Sequence, residues 1–289
     1  MRGGTPGSIS CGGLDILLAW GEGCSCYCSV VRPEQSGECL KYFEARLRVK
    51  PIIYTTDLGC SDYEAALRVQ RLLHARCRTT GENVLLLTQH YPVVTLGYRR
   101  PRGQLRLSAG ELSEKGIALI EVERGGGATY HGPGQLVAYP IFSSLLRPFG
   151  VRGFVAGLEE VLGGVSRGFG VAAVRRPGLP GVWVGERKLG AVGVAVRQKV
   201  SLHGCALNVN LDLRPFDYIV PCGLSDKTVT SLENERGTSV SMAEVIQQTR
   251  RNFAAVFAAT TEEMPDEWCC LERAAGAGAL GYHQSPRAA

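Results

Sequence analysis

Between two apolar runs, 117–122 and 136–142, the chain reads Arg124-Gly-Gly-Gly-Ala-Thr-Tyr-His-Gly-Pro-Gly-Gln135. Glycine and proline both oppose a helix, so this stretch is expected to be a loop. It is not a plain flexible linker, because such linkers are serine-rich and rarely crowd Arg, Tyr, His and Gln together. The flanking runs read as strands, which would hold the loop from both sides. A loop whose side chains are largely missing lets another molecule lie along its backbone amides. It follows a strand and opens another strand instead of a helix, and it lacks the Gly-Lys-Ser/Thr ending of a phosphate loop, so nucleotide binding by the standard motifs is not expected.

Composition narrows the class. The chain has 289 residues, of which 45% are hydrophobic and 20% charged, with a net charge of +5. That length holds one large domain or two small ones. The charge is mild and unclustered, which suits an acidic protein partner and argues against a nucleic-acid binder. No apolar stretch is long enough to span a bilayer as a helix. There are 11 cysteines. Cys11, Cys24, Cys26, Cys28 and Cys39 crowd the first fifty residues, whereas Cys60, Cys77, Cys205 and Cys222 are widely spaced in the body. This is not a small disulfide framework, and no His, Asp, Glu or Cys group has metal-ligand spacing, so no metal is expected.

The pattern divides into an extension over 1–49, targeting or disordered in character, a folded domain over 50–260 and a disordered tail over 261–289. Ser61 and Glu64 read as a capping box opening a helix whose buried stripe is Ala65, Ala66, Val69, Leu72 and Leu73. Residues 84–87 form a continuous apolar run, as in a strand buried on both faces. Helical spacing recurs from 151 to 169 and again after a second capping box at Ser241 and Glu244. Residues 181–213 read instead as strands joined by tight turns, the last of them with Leu207, Val209 and Leu211 on one face and Asn208 and Asn210 on the other. Strands without intervening helices exclude a doubly wound parallel sheet. The expectation is an α+β domain with helices on a mixed, mostly antiparallel sheet.

For chemistry, the residues offer two cysteines. Cys222, between Pro221 and Gly223 in an irregular segment, is the preferred nucleophile; Cys205, between Gly204 and Ala206 in a strand, is its rival. A free thiol is mostly protonated near neutrality, and a nearby ammonium would favour the thiolate. Lys188, the one lysine between 181 and 196, is the candidate. His131 and His203 leave a Cys/His arrangement open.

The stretch from Arg124 to Leu136 resembles the signature of lipoyl(octanoyl) transferases. So do Lys188-Leu-Gly-Ala-Val-Gly193, His203-Gly-Cys-Ala-Leu-Asn-Val-Asn210, Val220-Pro-Cys-Gly-Leu224 and, more weakly, 89–97. The motifs occur in the family's order and cover about 51–257. Residues 219–224 and 229–232 look most like the animal mitochondrial form.

The resemblance implies the fold of biotin and lipoate protein ligases. It also implies transfer of an octanoyl group from octanoyl-acyl carrier protein to a lysine of lipoyl domains, in 2-oxoacid dehydrogenase subunits and the glycine cleavage H protein, with no cofactor. Under it Cys222 forms an acyl thioester and Lys188 lowers its pKa and moves protons. The substrate pocket would be lined by Arg124, Gly125, Gly126, Gly127, Ala128, Thr129, Tyr130 and His131, by Ala191, Val192 and Gly193, and by Gly204, Cys205 and Ala206. Position 205 departs from the family, which commonly has a larger apolar residue there. The implied compartment is the mitochondrion, although Arg2 is the only basic residue before Arg32 and Asp15 and Glu22 interrupt the leader. Two other readings compete: an ATP-dependent lipoate or biotin ligase, which needs no cysteine, and a module that only binds lipoyl domains.

Overall fold

The computed structural model describes residues 50–98, 104–146, 148–220 and 228–268, together with the backbone of three short strands before them. It separates into two units, Met1–Lys50 and Pro51–Ala289. In the first, where no regular pattern is expected, β1 (Gly7–Cys11), β2 (Leu14–Leu18) and β3 (Cys28–Ser29) form an antiparallel sheet.

The second unit is built on an eight-stranded sheet. In chain order its strands are β4 (Ile52–Ser61), β5 (Asn83–His90), β9 (Gln135–Phe142), β10 (Val174–Arg176), β11 (Leu179–Val184), β12 (Arg187–Arg197), β13 (Val200–Asn208) and β14 (Thr260–Glu263). Across the sheet the order is β10-β11-β12-β13-β9-β5-β4-β14. The two pairs involving β4 are parallel and every other pair is antiparallel, so the sheet is mixed and mostly antiparallel. A smaller sheet joins β6 (Val93–Leu96) to β7 (Ala118–Glu121) and β8 (Ala128–His131).

Alternation along the central strands explains why they read as unbroken apolar runs. In β5, Leu85 and Leu87 enter one core while Val84 and Leu86 enter the other. The first core lies under α3 (Gly150–Gly168) and α4 (Met242–Val256), where Phe142, Phe154, Phe253 and Phe257 meet edge to face or stacked. The second lies under α1 (Tyr63–Thr80), through Ala66, Val69, Leu73 and Cys77. A strand with helices on both faces needs apolar side chains at every position. The short helix α2 (Ala109–Glu114) carries a full capping box from Ser108 to Glu111.

Several expectations shift. The cap of α1 is Asp62, which accepts from the Ala65 N–H at 2.9 Å, and Ser61 belongs to β4. Leu72 is exposed, while Leu67 and Leu73 are buried, so the buried stripe is rotated toward Leu67. The strand expected over 200–213 ends at Asn208. Its alternation fails because both faces are buried and the chain then leaves the sheet. The asparagines have a different task. Asn208 donates to the Thr230 carbonyl, and Asn210 exchanges two hydrogen bonds with the backbone of Val240. They fasten a crossing segment. Finally, the sheet runs past the expected end at 260: β14 pairs in parallel with β4, and Met264 and Trp268 are buried in the second core. Trp268 sits edge-on to Tyr54 and 3.8 Å beneath the Arg76 guanidinium. The rest of the tail lies outside the described residues.

Candidate active site

The glycine stretch is divided in a way its composition does not reveal. Residues 125–127 are a turn, and Ala128–His131 is a strand of the smaller sheet. The turn is laced to two elements. Gly97 N–H donates to the Gly127 carbonyl at 3.1 Å, Tyr98 N–H to the Arg124 carbonyl at 2.9 Å, and Gly125 N–H to the Val194 carbonyl of β12 at 3.0 Å. The last contact needs missing side chains, since a Cβ on Gly193 would stand 2.8 Å from the Gly125 carbonyl oxygen. Arg124 is buried, and its guanidinium holds both the carbonyl and the hydroxyl of Thr95 at 2.8 Å. It pins the turn to β6.

Beneath this turn a narrow cavity runs along β12 and β13. Its walls include Arg124, Gly125, Gly126, Ala128, Thr129 and His131, then Lys188, Ala191, Val192 and Gly193, then Gly204, Cys205 and Ala206. The tertiary structure thus brings three distant segments of sequence around one space. Two of the expected lining residues are elsewhere. Tyr130 is not part of the wall; its ring packs edge-on against Phe216 in a third apolar cluster. Gly127 lines an open groove on the outer side, with Val151, Val155, Leu179, Pro180 and Trp183. Lys188, Gly125, Gly126, Val192 and Gly193 border both spaces.

Sequence reasoning missed Tyr63, Gln135, Val137, Tyr139 and Asn208 as lining residues. Gln135 and Asn208 stand inside motifs already singled out, but nothing in the local sequence marks Tyr63, Val137 or Tyr139; they reach the cavity from α1 and β9. The polar ones are internally paired. His131 Nδ1 meets Gln135 Oε1 at 2.6 Å, Gln135 Nε2 donates to Asn208 Oδ1 at 2.9 Å, and Tyr139 OH meets His90 Nε2 at 2.7 Å. Burial lowers the pKa of His131 to about 3 and of His90 to about 4. Both imidazoles are therefore neutral at pH 7 and are poor acids.

Lys188 is the second residue of β12. Its N–H donates to the Thr228 carbonyl, and its carbonyl accepts from the Thr230 N–H, both at 2.9 Å. The segment on the C-terminal side of Cys222 is thereby clamped to Lys188. On the other side, Val220 N–H donates to the Gln104 carbonyl at 2.8 Å. The Lys188 stem passes over Gly181, where φ is +122° and a Cβ would stand 2.9 Å from Lys188 Cε. Buried Glu159 of α3 holds that point by accepting from the Gly181 N–H at 2.9 Å. The Lys188 ammonium lies 5.3 Å from the Trp183 ring centre.

Cys222 lies outside the described residues. Cys205 is buried, and burial pushes its thiol up to about 12. It is the only thiol lining the cavity among the described residues, and it is protonated at neutral pH.

A family model, lipoyl protein ligase A/B catalytic domain, matches residues 62–254. An octanoyltransferase of Roseiflexus sp. (strain RS-1) is 45% identical over 205 residues, covering 69% of this chain and 85% of that protein. One from Nitratidesulfovibrio vulgaris (strain DP4) is 45% identical over 204 residues, covering 70% and 94%. Among solved structures, lipoate-protein ligase A bound with ATP superposes with a TM-score of 0.63 at 19% identity, over 78% of this chain and 94% of that one. A bi-partite lipoate protein ligase from Thermoplasma acidophilum gives 0.59 at 20%, over 83% and 99%. At such identities the superpositions speak to the fold alone.

Proposed function

The chain belongs to the lipoyl protein ligase A/B catalytic-domain family and is an octanoyltransferase acting on lipoyl domains; we propose that it works through a thioester on Cys222, assisted by Lys188, with octanoyl-acyl carrier protein as donor. In the first step the Cys222 thiolate attacks the donor thioester carbonyl. The carbonyl–sulfur bond to the carrier breaks, and the carrier thiolate leaves and takes up a proton from the Lys188 ammonium, which becomes the neutral amine. In the second step the neutral amine of the acceptor lysine attacks the new thioester. Cys222 leaves as a thiolate and the nitrogen loses a proton, which the amine form of Lys188 can accept. Exchange of one thioester for another is near balance, and the amide product is more stable, so no ATP is required. Lys188 as an ammonium favours the attacking thiolate by charge.

The observation that carries this reading is the cavity: a narrow space with a glycine-rich, mostly apolar wall along β12 and β13, polar side chains already paired with one another on the facing side, and one lysine at its border. An unbranched acyl chain suits it. Purified protein, octanoyl-acyl carrier protein and a lipoyl domain should yield octanoylated domain without ATP, detected by intact mass. Product formed only when ATP and free octanoate are supplied would reject the reading.

The finer assignment rests on residues 219–224 and 229–232, which resemble the animal mitochondrial form. In this reading the acceptors are the lipoyl domains of 2-oxoacid dehydrogenase complexes and the glycine cleavage H protein, and the compartment is the mitochondrion. Residues 1–50 fused to a fluorescent reporter should carry it there. A reporter that stays diffuse through the cell would remove the leader as the address.

A further inference from the structure

We propose that the His203 imidazole is the end wall of the acyl cavity and sets the longest chain the protein accepts, an inference that rests on reading that cavity as an acyl site. The register places it. Across the β12–β13 ladder Val194 faces His203, while Gly190 faces Leu207. Lys188 is further along β12 in the same direction. At about 3.3 Å per residue, Lys188 and the level of His203 are about 20 Å apart along the strand. An extended octanoyl group, with seven carbon–carbon bonds of about 1.5 Å in a zigzag, is about 9 Å long. That leaves room for the side chains that hold its carbonyl. A sixteen-carbon group is about 19 Å long on the same geometry and leaves none.

The imidazole is a partition. On one side it lines the cavity with Tyr63, whose hydroxyl lies 3.5 Å from His203 Nδ1. On the other, Nε2 faces Glu123 at 3.8 Å, and Glu123 lines a separate surface concavity with Arg71, His74, Arg197 and Leu202. His203 is 1% exposed, and its Nε2 has no hydrogen-bond partner. Its φ is +58°, the left-handed region that a residue with a side chain enters only at a cost in backbone strain. The N–H is held in place by donation to Gln70 Oε1 at 3.1 Å. A strained backbone is thus maintained where it turns an imidazole across the end of the cavity.

The chemistry of this end suits a stop. A terminal methyl that reaches it meets a polar group already paired, the Tyr139 hydroxyl with His90 Nε2. A longer chain has to push aside a buried imidazole whose backbone is fixed by Gln70, and break its contact with the Tyr63 hydroxyl.

The test uses the full chain and compares octanoyl-, dodecanoyl- and hexadecanoyl-acyl carrier protein as donors. Wild type should strongly prefer octanoyl over hexadecanoyl. His203→Gly and His203→Asn keep the residue types that best tolerate a positive φ and remove the wall fully or in part. The ratio of dodecanoyl to octanoyl kcat/KM should rise about tenfold or more, further in His203→Gly than in His203→Asn. An unchanged ratio in either folded variant overturns the proposal, including an equal loss on every chain length. Equal use of hexadecanoyl and octanoyl by wild type overturns it without any variant. A wild type that accepts no acyl donor rejects the acyl-site reading itself.

Discussion

Cys222→Ala is expected to form no octanoyl adduct and to lose activity by about 10³-fold or more, because Cys205, the one thiol lining the cavity among the described residues, is protonated at neutral pH. The contrast that makes this sharp is Cys205→Ala, which should still yield the adduct. On sequence alone the two thiols are rivals. The fold separates them. Cys205 is buried among Leu207, Ala138 and their neighbours, and burial pushes its thiol up to about 12. At pH 7.5 fewer than about one molecule in 10⁴ would hold it as thiolate. Cys77 is held at about 12 by the same cause, inside the core beneath α1. Mass spectrometry of protein incubated with octanoyl-acyl carrier protein reads the outcome directly. An adduct that survives Cys222→Ala and disappears in Cys205→Ala would reverse the assignment and require that the fold opens around β13.

Lys188→Met is expected to raise the pH midpoint of Cys222 alkylation by iodoacetamide by about one unit or more, and to slow acyl-enzyme formation by about 10²-fold. The sign follows from charge: an ammonium near a thiol favours the thiolate, so removing it moves the pKa upward. Methionine keeps the apolar stem that passes Gly181 and loses only the charged end. The backbone of Lys188 is fastened to Thr228 and Thr230 through its own N–H and carbonyl, so the clamp on the neighbouring segment survives the substitution. The change therefore reports on charge and not on folding. An alkylation curve that coincides with that of wild type would remove this task from Lys188, whatever the loss in turnover.

What could be read from residues and what could not divide along a physical line. The α+β class was legible because period-2 apolar runs and unbroken strands without helices between them are local patterns. The continuous run in β5 announced a strand with two buried faces, and α1 and α3 supply the cover. The cap of α1 shifted by one residue because Ser61 and Asp62 are both competent caps, and pairing of Ser61 with His90 across β4 and β5 chose between them. The glycine turn was legible as a close-approach element. What it approaches, the glycine of β12, was not.

The sequence by itself determined the chemistry: which residue types are available, and a run of glycine backbone that only a ligand or another strand could approach so closely. It also carried motifs distinctive enough to place the chain in its family. Only the tertiary structure decided which faces of those motifs meet. It turned Tyr130 out of the cavity and brought Tyr63 in. It buried Cys205 in the cavity wall, and it placed His203 beside Tyr63 in that lining. The reason is that side-chain direction along a strand changes at every residue, so a motif read as one block splits between two sides. Which side faces the cavity depends on pairings made by residues far away in the chain.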